Sequence, residues 1–245
     1  MKPTRSIKAY DVPERVVTYD ADMEIMHPNR SKMVAAALEV LPFSGDAPVQ
    51  ALDLGIGTGY FTLQLLGKYP EARVLAVDGA EAMVELAKQR LGDLSERVSF
   101  CIGDFRQLEG LIPEETGFDL VYSSYALHHL SRQDKVSVIR RAMKRLQPGG
   151  WFLNADLIVA EDPAVERRLQ EIRVAGIVER ASGKKERFGD MASTRQTLDE
   201  LEAKEGDQPI TLLEDLRVLQ EAGLRKPAVF WLEHREAVTG GLKGT

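Results

Sequence analysis

Between residues 49 and 159 the chain repeats one pattern: a short apolar run, a turn carrying glycine or an acid, and then apolar residues at helical spacing. The runs fall at residues 49–54, 73–77, 97–102, 118–123 and 151–159. Helical stripes follow, formed by Phe61, Leu65 and Leu66, by Met83, Leu86, Ala87 and Leu91, and by Val136, Ile139, Met143 and Leu146. Few folds accept five such alternations. Parallel strands need a crossover between neighbours and crossovers are right-handed, so the pattern predicts an α/β fold built on a doubly wound, mostly parallel sheet. Ligands then bind beyond the carboxyl ends of the strands.

Those ends carry the chain's distinctive residues. The first run closes on Asp53 and then Gly55, Gly57 and Gly59 at alternate positions, with a helix from Tyr60. Glycine permits positive φ and close approach of a ligand to bare main chain, and the helix that follows offers free N–H groups. A dinucleotide fingerprint wants a third glycine where Tyr60 stands. Asp53 also sits poorly beside a pyrophosphate but well beside an ammonium group, so the expected ligand is not a dinucleotide. Asp78, ending the second run, lies beside the glycine turn if the two strands are neighbours, within reach of a ribose's hydroxyls; helix capping is the alternative role. At the third end Asp104 suits an exocyclic amine, with a turn-forming aspartate as the alternative, and Phe105 suits a base plane. Ser123 ends the fourth run and joins this expected binding set.

Composition narrows the partners. With 245 residues, 44% of them hydrophobic, the chain can bury one sizeable core. Its net charge of −6, with no clustered Lys/Arg stretch, disfavours nucleic acid. No apolar run reaches the ~20 residues that span a bilayer, and the single cysteine, Cys101, suits a reducing compartment; a cytoplasmic protein with no membrane partner is expected. The four histidines look too scattered for a metal motif, so no metal is expected.

Outside the core, residues 1–27 read as polar and irregular, Pro28 is placed to open a helix, and residues 160–210 interrupt the alternation with helical stripes around Val165, Leu169 and Ile172 and around 198–201. The expected division is a single domain, 1–245: a covering segment at 1–47, a core at 48–160 and 211–245, and a helical insertion at 161–210. That insertion suits a lid, with a dimer contact or solvated decoration as the alternative; a homodimer is one expected assembly. The run Lys184, Lys185 and Arg187 either meets an acidic substrate or is simply solvated.

Five stretches occur in a familiar order: 52–59 (LDLGIGTG), 77–83 (VDGAEAM), 103–105 (GDF), 118–130 (FDLVYSSYALHHL) and 146–152 (LQPGGWF). With them the chain resembles a class I S-adenosylmethionine-dependent methyltransferase of the small-molecule kind. The resemblance implies a seven-stranded Rossmann-like sheet with a last antiparallel strand, S-adenosyl-L-methionine as cofactor, S-adenosyl-L-homocysteine as product, and a small-molecule acceptor. It implies that the glycine turn holds the methionine part, that Asp78 holds the ribose, that Gly79 and Met83 line the adenine, with Asp104 near its amine, and that Tyr19 touches the methionine carboxylate.

Methyl transfer from a sulfonium asks the protein mainly for alignment and exclusion of water. For an alcohol or phenol a base helps, and His128 is the expected catalytic residue, because imidazole titrates near neutrality; the alternative is that His128 and His129 only shape the pocket. Two other readings stay open from sequence, an NAD-dependent oxidoreductase and a non-catalytic cofactor-binding regulator.

Overall fold

The computed structural model describes residues 3–113 and 116–244, with the backbone alone for 13–17. The extreme ends of the segments 1–47 and 211–245 lie outside the described residues. Residues read as irregular are helical, α1 (Arg5–Tyr10), capped by the Thr4 side chain, and α2 (Pro13–Met26), and the helix expected after Pro28 is α3 (Arg30–Glu39). Among the described residues of α1 and α2, Ala9 and Met23 are the buried apolar ones, too far apart to show a period.

The alternation then follows the expected course. It runs β1 (Gln50–Leu54), α4 (Tyr60–Lys68), β2 (Arg73–Asp78), α5 (Glu81–Leu91), β3 (Val98–Ile102), the single turn α6 (Leu108–Leu111), β4 (Phe118–Ser124), α7 (Arg132–Arg145) and β5 (Leu146–Val159). Ser131 caps α7 by accepting from the Asp134 amide, and Lys144 and Arg145 complement the helix dipole at its other end. Strand β5 starts earlier than the sequence suggests. Leu146 pairs with Phe118 across an irregularity in β4, so Leu146 ends up in the sheet and not on the α7 stripe.

Two helices follow, α8 (Pro163–Ala181) and α9 (Met191–Glu205), then β6 (Ile210–Thr211), α10 (Leu212–Glu221), β7 (Ala228–Glu233) and β8 (Glu236–Leu242). The main sheet has the order β3-β2-β1-β4-β5-β8-β7, with β1 to β5 parallel and β8 antiparallel to both its neighbours; the two-residue β6 extends β5 off this path. Chain order reverses between β1 and β4, which opens the crevice. Alternation along the strands sorts the core. Ala51 and Tyr122 pack on the face covered by α3, α4 and α5, whereas Leu52, Leu54 and Val121 pack on the face covered by α7 and α10.

The insertion has its own small core. Val174, Ile177, Ala181, Phe188 and Leu198 pack together and against Ile25 and Met26 of α2. Lys185 and Arg187, expected to face substrate or solvent, both bind Asp22 of α2. Burial opposes ionisation of Asp22, but Arg187 and Lys185 outweigh it and hold its pKa below the ordinary value. The covering segment and the insertion therefore form one helical cap. Because Phe188 is fully buried in that cap, Phe188→Ala is expected to cost about 3 kcal/mol, at the low end for a buried aromatic. Hydrogen exchange should then speed up in α8 and α9 while β1 and β4 amides keep their protection.

Candidate functional site

The carboxyl ends of β1, β2, β3 and β4 line an open cleft of about 850 Å³. Gly55 and Gly57 at its floor, and Gly59 just behind it, all take positive φ, and the Gly55 amide donates to Val77 O at 2.8 Å, tying the turn to β2. Asp78 braces the same turn: its carboxylate accepts from the Gly57 amide at 2.8 Å and from the Ala80 amide at 2.9 Å. It is not the cap of α5, a position held by Ala80. Burial raises the Asp78 pKa against the pull of those amides.

Asp53 is almost fully buried and accepts from the Thr62 hydroxyl at 2.6 Å, with Tyr122 OH 2.7 Å from that hydroxyl. Burial pushes the carboxyl up to about 7 even though Thr62 and Tyr122 bond to it. A buried acid so perturbed, lining a cleft, is a candidate binding group for a cation.

The roof comes from the cap. Ile7 of α1 lies over Gly79, where a Cβ would stand 2.5 Å from its Cδ1, and Tyr19 of α2 lines the cleft with its ring edge-on to Tyr10 at 5.7 Å. Asp20 latches α2 down, accepting from Thr58 Oγ1 at 3.1 Å, from Arg30 at 3.0 Å and from Arg90. Arg30 is a site residue the sequence did not reveal. It lies 4.0 Å over the Tyr60 ring, lines the cleft, and its buried Nε has no hydrogen-bond partner among the described residues. Tyr60, read in the sequence only as a missing glycine, is its platform.

Met83, Asp104 and Phe105 also line the cleft, Phe105 lying 3.5 Å from where a Gly55 Cβ would stand. Asp104 is less available than expected, since both its oxygens accept from Arg106, at 2.9 and 2.6 Å among others. Two expected residues lie off the cleft. Gly59 lets α4 approach α5, where its Cβ would meet Ala87 Cβ at 3.2 Å. Ser123 is fully buried and donates to Leu54 O at 2.8 Å, joining β4 to β1, and its neighbour Ser124 lines the cleft instead.

His128 belongs to a second, equally open cavity of about 1180 Å³, lined by the cap and the end of β5. Tyr10, Tyr19 and Tyr125 line both spaces, so the two meet there. Tyr125 holds φ at 49°, a strained value for a bulky residue, and its hydroxyl donates to Glu236 at 2.8 Å, which also binds His27 at 2.7 Å. Asp156 at the end of β5 fixes His128 twice, accepting from its amide at 2.9 Å and binding its Nδ1 at 2.6 Å. Burial opposes the imidazolium, but Asp156 outweighs it and the His128 pKa lies above its ordinary value. His129 turns to Asp207, Nδ1 to Oδ1 2.8 Å, and burial, reinforced by His128, drives its pKa down to about 4. The histidines are thus less scattered than the sequence suggested. Asp207 escaped notice because the Gln208 amide, donating to His128 O at 2.7 Å, brings a distant loop onto this one.

Comparison with known proteins agrees with this geometry. Residues 51–150 match a family model described as methyltransferase domain. An uncharacterized methyltransferase of Anoxybacillus flavithermus is 34% identical over 130 residues, 53% of this chain and 57% of that protein. A malonyl-[acyl-carrier protein] O-methyltransferase of Priestia megaterium is 33% identical over 105 residues, 43% of this chain and 35% of that protein. The matched stretches thus span little more than half of the first relative and about a third of the second. Among solved structures, human N-acetylserotonin methyltransferase in complex with SAM superposes with a TM-score of 0.64 at 19% identity, covering 100% of this chain and 61% of that one, which shows a shared fold. Through residues 51–150 the chain thus carries the sequence of a methyltransferase domain, on a fold it shares with solved methyltransferases.

Proposed function

We propose that the protein binds S-adenosyl-L-methionine in the first cleft and methylates a hydroxyl group of a small molecule held in the second. The observation that carries this reading is the shared rim at Tyr10, Tyr19 and Tyr125, with the His128–Asp156 pair on the acceptor side.

The cleft's chemistry fits the cofactor. Asp53 is a buried acid that an ammonium would relieve, Arg30 Nε is a buried donor that a carboxylate would satisfy, and the turn is bare at Gly57, where a Cβ would meet nothing within 4 Å. In this reading Asp53 and Arg30 hold the two ends of the methionine moiety, and Tyr19 closes over it. Asp78 keeps lone pairs for the ribose hydroxyls, and Gly79, Met83 and Phe105 line the adenine. Asp104 serves the adenine amine only in competition with Arg106. When bound, S-adenosylmethionine supplies a methyl group already made electrophilic by its sulfonium charge. His128, its Nδ1 engaged by Asp156, takes the acceptor's proton at Nε2 as the oxygen gains the methyl group, and Asp156 balances the imidazolium. The cap excludes water. The O-methyltransferase named among the relatives supports an oxygen acceptor. Tyr60 and the buried acid Asp53 argue against a dinucleotide.

Three outcomes test the reading. Asp78→Ala should weaken S-adenosylhomocysteine binding about 100-fold by calorimetry, corresponding to roughly 3 kcal/mol of charge-assisted hydrogen bonds; unchanged affinity would remove Asp78 from the ribose site. Asp53 has a folded pKa of about 7, above its unfolded value, so protonation stabilises the free protein and that contribution is lost as pH rises towards 7. A bound ammonium favours the carboxylate, so S-adenosylhomocysteine affinity should rise with pH up to about 7 and then level off, and Asp53→Asn should flatten the profile. His128→Ala should lower kcat by roughly 10² to 10⁴ with cofactor affinity intact. Cofactor binding without transfer from labelled S-adenosylmethionine to any of a broad panel of hydroxyl acceptors would favour a non-catalytic protein.

A further inference from the structure

Where the cofactor cleft and the acceptor cavity adjoin, three side chains converge in a way that proton transfer alone does not require. His128, His129 and Asp207 each offer a ligand atom within 4.8 Å of the others. His129 Nδ1 is 2.8 Å and His128 Nε2 3.8 Å from the same oxygen, Asp207 Oδ1. In a tetrahedral site with bonds of about 2.0–2.2 Å, neighbouring ligand atoms lie roughly 3.3–3.5 Å apart, so small rotations of the three side chains would bring them to bonding distance.

The surroundings resemble a prepared ligand set. His128 is oriented through its other ring nitrogen by the Asp156 carboxylate, the arrangement that usually stands behind a metal-bound imidazole. Asp207 is positioned by the neighbouring Gln208 amide, which bonds to His128 O, and by Lys135, which bonds to Gln208 O at 3.0 Å. Two imidazoles and one carboxylate suit zinc and its transition-metal neighbours better than magnesium or calcium. His128 and Asp207 line the acceptor cavity and His129 the cofactor cleft, leaving room for a fourth ligand from solvent or acceptor.

We propose that His128 Nε2, His129 Nδ1 and Asp207 form a binding site for a zinc-type divalent cation, and that its occupancy withdraws His128 from proton transfer. An imidazole nitrogen that donates its lone pair to a metal cannot accept a proton. The cation takes the Nδ1 lone pair of His129, whose proton moves from Nδ1 to Nε2, so the imidazole stays neutral. The second clause rests on His128 acting as the base; the first does not.

Metal-free full-length protein carrying Cys101→Ser, which removes the chain's one thiol, is titrated with Co²⁺ and followed by its visible ligand-field bands, and with Zn²⁺ by calorimetry. One equivalent is expected to bind. Asp207→Asn keeps the side chain's shape and a hydrogen bond to His129, and should weaken binding at least tenfold, as should His129→Gln; circular dichroism and melting check that both variants fold. Asp156→Asn should weaken it about 10- to 100-fold through His128. Equal metal affinity in the parent and in folded Asp207→Asn would overturn the site. Under the second clause, saturating Zn²⁺ slows turnover at least tenfold and a chelator restores it; full turnover with the metal demonstrably bound would overturn that clause. A protein that shows no turnover under any condition, yet gives the Co²⁺ signal, would fail the methyltransferase reading and leave the site standing.

Discussion

The bond from the Gly57 amide to the Asp78 carboxylate ties the glycine turn after β1 to the end of β2, and the site is built outward from it. A second bond, from Gly55 to Val77, runs beside it. Together they hold the three alternate positive-φ glycines in one shape, which exposes bare main chain where the crevice opens between β1 and β4. Asp78 can do this because parallel pairing puts its strand next to β1, with Leu54 opposite Val77. One carboxylate thus serves the glycine turn through the Gly57 amide and its own strand end through the Ala80 amide, and keeps further lone pairs for a ligand. Positioning comes from the sheet, which is rigid, and not from the loops.

The upper half of the site is assembled by the cap. Helix α2 is pinned on one side by the Asp20 latch to Thr58, Arg30 and Arg90, and on the other by Asp22 to Lys185 and Arg187. Ile25 and Met26 at its end enter the small core of α8 and α9. Tyr19 of α2 lines both the cleft and the second cavity, so α2 is a wall common to the two. Freeing α2 breaks partly buried polar contacts and one small apolar cluster, which is the kind of element expected to open locally before the sheet does.

The core was legible because its signals are local. Apolar runs, glycines with a required φ and acids at strand ends can each be read within a few residues, and β1 to β4 fall within one or two residues of their expected bounds. What the sequence hid depends on distant partners. Among the described residues, α1 and α2 bury only scattered side chains such as Ala9 and Met23, so the segment read as irregular. Arg30 gains meaning from Tyr60 and Asp20, and Asp207 from a loop folded back onto His128. Lys185 and Arg187 read as a surface run because Asp22 lies far away in sequence. Ser123 and Gly59 matched the motif's positions, yet one bonds across the sheet and the other admits a neighbouring helix.

A structure of the protein with S-adenosylhomocysteine bound tests the central claim most directly. The account predicts the ribose hydroxyls on Asp78, the carboxylate on Arg30, the ammonium beside Asp53, and the sulfur at the rim where Tyr19 and Tyr125 join the two spaces, facing His128. A ligand seated elsewhere, or one whose sulfur faces away from the second cavity, would contradict it.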